Sequence, residues 1–266
     1  MKNKLLLLAG HAFILLCFLF LCSFLYARKN NSREYYQITV YHFKDAEQEK
    51  IIDRYLQKAL LPALHKITIG KIGVFKALSN DTAADKLLYV FIPIKSLDEI
   101  SKINDKLNAD ATYQTAGSEY MGAAYNAAPY ARMETILLYA FPLAPTMNLP
   151  QLHAANKDRV YELRSYESAT QKLHLNKVRM FNQGGEIDLF KRLNFNAIFY
   201  AQVIAGSKMP NLMYMTSFEN MQEREAHWKA FGDDPTWKKL SAMPEYQNNV
   251  SHIDIFFLHP ADYSDF

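Results

Sequence analysis

The sequence predicts an α+β fold made of two copies of one βαββαβ unit. Three observations carry that prediction. Strand-like and helix-like periodicities follow one another in the same order in both halves, short strings recur at an almost constant separation, and the closing strand of each half is apolar on both faces. Tyr36–Tyr41 (YQITVY) aligns with Tyr161–Tyr166 (YELRSY) at an offset of 125, and Leu88–Val90 (LYV) with Met213–Met215 (MYM) at the same offset. Glu134–Leu138 (ETILL) aligns with Asp254–Leu258 (DIFFL) at 120, so the second copy is five residues shorter before that strand. Single matches of short apolar strings arise by chance, but three in one order with nearly one offset indicate duplication.

Each element follows from its residues. Residues 35–41 and 160–166 have alternating, β-compatible composition. In the first copy Ile51, Ile52, Tyr55, Leu56, Leu60 and Leu64 then recur at helical spacing, with Asp45 as cap and Pro62 near the far end. The second copy carries a broken version: Leu173, Lys177, Met180 and Phe181 share a face, Gly184 and Gly185 interrupt it, and residues 187–193 form a further turn or two. Strands are expected at 70–78 and 196–204, and again at 87–92 and 212–217. A second helix places Leu97, Ile100, Ile103 and Leu107 on one stripe, matched by Met221, Glu225, Trp228 and Phe231. Asp233 to Trp237 is a helix-start signal with an Asp cap and Pro235 in the first turn. The last strand closes each unit.

This order is the ferredoxin-like split βαβ arrangement, a four-stranded antiparallel sheet with both helices on one face. The other face needs a cover, because Ile136 and Leu138 alternate with Leu137 and Tyr139, and Ile255 and Phe257 with Phe256 and Leu258. The two sheets are therefore expected to pack face to face within one chain as an α+β barrel of the kind smaller proteins form by dimerising. The domains are read as 34–142 and 159–260, joined by a linker at 143–158. Pro142, Pro145 and Pro150 make the connection stiff and non-helical.

Composition excludes several functions. Of 266 residues, 50% are hydrophobic, and much of that excess lies in the uncharged run from Leu5 to Tyr26. Residues 1–27 contain Lys2 and Lys4 and no acid, so without them the net charge falls from +3 to +1. That balance leaves no basic excess for binding nucleic acid through phosphate attraction. Both cysteines, Cys17 and Cys22, are in the leader, so the body has no thiol nucleophile, disulfide or thiolate metal site.

The leader itself has two readings. Its basic start, apolar stretch and small residues at Ser23 and Ala27 fit a secretory signal, with an exported, periplasmic or extracellular product. The run is also long enough to span a bilayer, which gives the alternative of a membrane anchor at residues 5–26, contacting membrane only there. Lipid modification of Cys22 is disfavoured by the bulk of Leu21 before it.

The string Val160–Tyr166 (VYELRSY), the strand Leu212–Phe218 (LMYMTSF) and the run from Arg224 through Trp228 to Phe231–Trp237 (FGDDPTW) resemble a NIPSNAP domain, within the wider dimeric α+β barrel group. The resemblance covers 159–260. The first copy departs from it: Gln37 stands where Glu162 does, Thr39 where Arg164 does, and Tyr113 near where Trp237 does. The resemblance implies the fold and little chemistry, although barrel relatives include cofactor-free monooxygenases and haem-degrading enzymes.

Candidate ligand-binding residues are Glu162, Arg164 and Tyr166, whose alternate spacing puts them on one strand face, with a wall containing Tyr36 or Tyr41 from the first copy. If that face were interior, Arg164 could hold a carboxylate or another oxyanion; the structural alternative is an ion pair that pins the sheet. His42 and His174 are weaker candidates, of interest if both meet one cavity. No His-x-x-x-His pair, phosphate loop or nucleophile elbow is present, so no metal and no cofactor is expected. The sequence thus points to a barrel that binds a small organic anion or conjugated molecule in its interior or in a cleft at one end. The alternatives are a cofactor-independent oxygenase and an extracytoplasmic interaction module. Exposed edges leave further oligomerisation open.

Overall fold

The computed structural model describes residues 32–266. The leader expected at residues 1–27 lies outside the described residues. Among those described, no helix is long and apolar enough to cross a membrane.

The first half runs β1 (Tyr35–Phe43), α1 (Ala46–Tyr55), α2 (Leu61–Lys66), β2 (Gly73–Ala77), β3 (Lys86–Ile94), α3 (Asp98–Ala109), α4 (Ala111–Ala116), α5 (Ser118–Met121) and β4 (Arg132–Ala140). The second runs β5 (Val160–Glu167), α6 (Gln171–Asn182), α7 (Glu186–Arg192), β6 (Phe199–Ala205), β7 (Asn211–Phe218), α8 (Met221–Asp233), α9 (Pro235–Ser241) and β8 (His252–Pro260). Asp45 caps α1 by accepting from the amides of Glu47 and Gln48, and Asp234 caps α9 ahead of Pro235. Pro62 lies near the far end of the first helical stretch, which runs on through Leu64. A π-helical turn at Leu56–Leu60 joins α1 to α2 and takes up the hydrogen-bond mismatch that a proline imposes. The short helices α4 and α5 were not read from the sequence.

All strand pairs are antiparallel and close into one barrel in the order β1-β3-β2-β8-β5-β7-β6-β4. Each half contributes a ferredoxin-like sheet, and the halves meet at two short seams. At one, Phe75, Lys76 and Ala77 of β2 pair with β8; at the other, β4 pairs with β6 through a register shift at Leu137/Leu138. Strand alternation sorts the side chains into three clusters. Tyr36, Ile38 and Val40 enter the barrel with Phe91, Tyr161, Leu163, Phe199 and Met215, while the opposite faces of the two sheets pack on their own helices.

The barrel has one closed end and one open end. Phe91 stacks on Phe199 with ring centroids 5.0 Å apart, Phe75 lies 4.8 Å from Tyr161, and the C-terminal Phe266 folds back against Phe75 at 5.3 Å. The interior proper is thus packed like a core. At the other end, around His42, Arg132 and Asn211, the barrel opens to solvent.

Candidate functional site

The structure places Glu162, Arg164 and Tyr166 on the helix side of β5. Their alternates Tyr161, Leu163 and Ser165 face the barrel. The expectation that Glu162 and Arg164 could line the interior is therefore corrected: strand parity puts the apolar set inward, because that face meets a second sheet.

Glu162 is fully buried and satisfied on both oxygens. Arg164 Nε donates to Oε1 at 2.5 Å, Arg224 donates to both oxygens at 2.7 and 3.1 Å, and the Trp228 indole N–H donates to Oε2 at 2.7 Å. The Arg164 guanidinium also lies 3.7 Å from the centroid of the Trp228 ring and donates to the Tyr166 hydroxyl, which meets the Tyr214 hydroxyl at 2.9 Å. One carboxylate, two guanidiniums and an indole fill the space between the second sheet and α8.

The equivalent space in the first half is open. A cavity of about 520 Å³ lies between the first sheet and α1 to α5. The offset of 125 explains it, because Gln37 and Thr39 replace Glu162 and Arg164, and Ile103 replaces Trp228. Gln37 reaches only Thr39, at 3.3 Å. Glu99, at the position matching Arg224, bonds the backbone N–H of Lys95. Both the volume and the charge of the second half's network are missing.

Tyrosines line the vacated space. The rings of Tyr55 and Tyr120 stack at 3.9 Å, and Tyr41 sits edge-on to Tyr130 at 5.7 Å. The Tyr55 and Tyr113 hydroxyls meet at 2.7 Å, and Tyr120 donates to Tyr41 at 3.2 Å. Burial pushes the hydroxyls of Tyr41, Tyr55 and Tyr120 far above their ordinary pKa, so they remain protonated donors. Among the described residues, no charged side chain lines the cavity.

Tyr41 and Tyr36 face different spaces. Tyr41 lines the sheet–helix cavity, whereas Tyr36 points into the closed half of the barrel. His42 and His174 do not share a cavity either. His42 lies at the barrel's open end, with Nδ1 2.8 Å from Asp85 and Nε2 3.0 Å from the Arg132 guanidinium. His174 is buried on α6, with Nε2 3.4 Å from Gln202.

Sequence reasoning missed Tyr55, Tyr113, Tyr120 and Tyr130 as site residues. Their available signal was the loss of Glu162, Arg164 and Trp228 equivalents in a half otherwise rich in tyrosine. Among the described residues, Glu167, His252 and Asp254 place potential ligand atoms within 4.8 Å of one another. Asp254 accepts from Lys208 at 2.5 Å and meets His252 at 3.0 Å, so two of the three groups are already engaged with each other.

The NIPSNAP family model matches residues 161–265, so the second half carries a NIPSNAP domain. No curated protein matches the sequence. The fold is that of the dimeric α+β barrel proteins. A monooxygenase-like protein of Lactobacillus acidophilus NCFM is 11% identical with a TM-score of 0.57, over 86% of this chain and 94% of that one. An anthrone oxidase-like protein is 10% identical with a TM-score of 0.50, over 86% and 92%. A NIPSNAP family protein of Agrobacterium tumefaciens str. C58 is 16% identical with a TM-score of 0.37, over 45% of this chain and 98% of that one.

Proposed function

We propose that the protein binds a small, uncharged, conjugated organic molecule in the cavity between its first sheet and the helices that cover it. The carrying observation is the contrast between duplicated halves: the space that Glu162, Arg164, Arg224 and Trp228 fill in one is open and lined with tyrosines in the other. The volume falls in the usual range for small-molecule sites, on the order of 300–1,000 Å³. An uncharged lining disfavours an organic anion, since burying a charge without a partner is costly. Aromatic rings offer stacking surfaces, and protonated hydroxyls offer donors to a ligand oxygen.

A second reading, oxygen-dependent oxidation of such a ligand, draws on the names of two proteins with the same fold, one monooxygenase-like and one anthrone oxidase-like. The tyrosine hydroxyls could stabilise an enolate-like oxygen. However, the lining holds no carboxylate, histidine or lysine to accept the substrate's proton, which favours binding as the primary role.

The test is an Ile103→Trp variant, which returns to the first half the ring that Trp228 supplies in the second. An uncharged fluorescent dye such as Nile red should bind the native protein saturably and lose at least tenfold in affinity in the variant. Native mass spectrometry should show a retained organic molecule that the variant lacks. Unchanged dye affinity in a folded Ile103→Trp protein refutes the assignment, and oxygen uptake with any bound conjugated compound would advance the second reading.

A further inference from the structure

The barrel's open end carries a second cavity, chemically unlike the first. It has a volume of about 190 Å³ and lies on the opposite side of β1, since Val40 and His42 face it while Tyr41 faces the helices. Its floor is apolar, formed by Tyr89, Ile136, Val203, Met213 and Phe256. An apolar cavity of about 150 Å³ is known to hold benzene, so this one accommodates a single ring with a short arm.

Two features define what that arm must be. Asn211 is only 2% exposed, and its amide nitrogen donates to the Ser165 hydroxyl at 2.8 Å, yet its carbonyl oxygen has no partner. A buried acceptor left unpaired costs free energy that a donor on a ligand would recover. The charges around the cavity also lean one way. Among the described residues, the carboxylates Asp85, Glu134 and Asp254 meet two permanent cations, Arg132 and Lys208, and two histidines, His42 and His252. His42 lies among them, with Nδ1 2.8 Å from Asp85 and Nε2 3.0 Å from the Arg132 guanidinium and 3.6 Å from Glu134. Glu167, opposite Asn211 across the β5–β7 ladder, adds a further acid at the rim. The Tyr89 hydroxyl reads the same field: burial first, then Asp254, Glu134 and Asp85, push its pKa well above the ordinary value.

We propose that the barrel mouth is a binding site for a small apolar amine, with the hydrocarbon in the Met213 and Phe256 floor and the ammonium directed at Asn211 Oδ1 and the surplus carboxylates. The site stands independently of the sheet–helix cavity. Its polarity is opposite to that of an organic-anion site, because the same field that draws an ammonium repels a carboxylate.

The experiment uses three probes of one shape, benzylamine, benzyl alcohol and benzoate, titrated into the protein by calorimetry or ligand-observed NMR. Benzylamine should bind at least about tenfold more tightly than benzyl alcohol, the ratio expected from one hydrogen bond to a charged group, and benzoate should bind weakest. Asn211→Leu should weaken benzylamine by about tenfold on the same grounds. Ser207→Lys, on an exposed loop at the cavity edge, does not threaten the fold and should weaken benzylamine while strengthening benzoate. Ile103→Trp should leave all three affinities unchanged, which separates this site from the dye-binding cavity. Benzoate binding as tightly as benzylamine, amine affinity unmoved in both Asn211→Leu and Ser207→Lys, or no saturable amine binding at all would each overturn the proposal.

Discussion

Replacing Glu162 with glutamine keeps the side chain's shape and removes the anion that holds Arg164, Arg224 and Trp228 together. One end of the new amide must present N–H groups to donors that previously found a carboxylate oxygen. Both guanidiniums are only 11% exposed at the side chain, so little water can compensate. Stranding a buried charge in this way costs about 3–5 kcal/mol. Arg224 retains Glu225, which is largely exposed, so the lower end applies. A loss of about 3 kcal/mol corresponds to a melting temperature lower by about 6–12 °C in a domain of this size. Arg164→Met is the internal control. It leaves Glu162 with Arg224 and Trp228, so its loss should be smaller, about 1–2 kcal/mol. Urea unfolding checks the ordering through the midpoint, with an unchanged slope showing that compactness is preserved. Nile red affinity should stay within twofold in both variants. The reasoning is refuted if Glu162→Gln costs less than about 1 kcal/mol, or if either variant abolishes ligand binding while stability is untouched.

Further outcomes are expected elsewhere. His174 is buried with Nδ1 unpartnered, and burial lowers its pKa from 6.5. The unfolded chain therefore takes up this proton first, so stability should be level above pH 6.5 with respect to this group and should fall as pH drops below it. His174→Met should flatten that slope in urea midpoints taken from neutral to mildly acid pH, and an unchanged slope would exclude His174 as its source. Gly185 begins α7 at φ +87° with nothing within 4 Å of an added Cβ, so Gly185→Ala should cost about 1 kcal/mol through backbone conformation alone. Gly184→Ala should cost more, because its Cβ would lie 2.5 Å from the Met180 carbonyl oxygen. Reversal of that order in unfolding midpoints would contradict the geometry.

The fold was legible because it depends on periodicity. The stripe of Ile100, Ile103 and Leu107 marks α3, with Leu97 falling outside it as an exposed cap, and the two-sided apolar closing strands signal a second sheet against the first, which the closed barrel supplies. The stripe carried the first helix past Pro62 to Leu64, but the π-helical turn at Leu56–Leu60 was not legible, since no spacing announces it. The site was legible only in outline. Pairing of Glu162 with Arg164 follows from their alternate positions on one strand, but which face turns inward is decided by the partner sheet and not by β5 itself. Arg224 and Trp228 join the pair across 62 and 66 residues, a tertiary contact that no local pattern encodes. The cavity was hidden for a related reason: it is made by what Gln37, Thr39 and Ile103 fail to fill.

Duplication within one chain explains how that cavity can persist. In a barrel built from two identical subunits, any change that opens the space under one sheet opens the other as well, and the cost of lost packing is doubled. Truncations of large buried side chains cost several kcal/mol each, roughly 2–5, according to how well the surroundings collapse. Here the halves share one barrel interior, closed by Phe75, Phe91, Tyr161, Phe199 and Phe266, but they do not share the spaces beneath their helices. The second half can therefore concentrate its polar groups into a satisfied network around Glu162. The first half can leave its equivalent space open and line it with tyrosines whose hydroxyls already bond in pairs. On the proposed function, stability and recognition fall to opposite halves, so mutations at Glu162 and at Ile103 should act on separate observables.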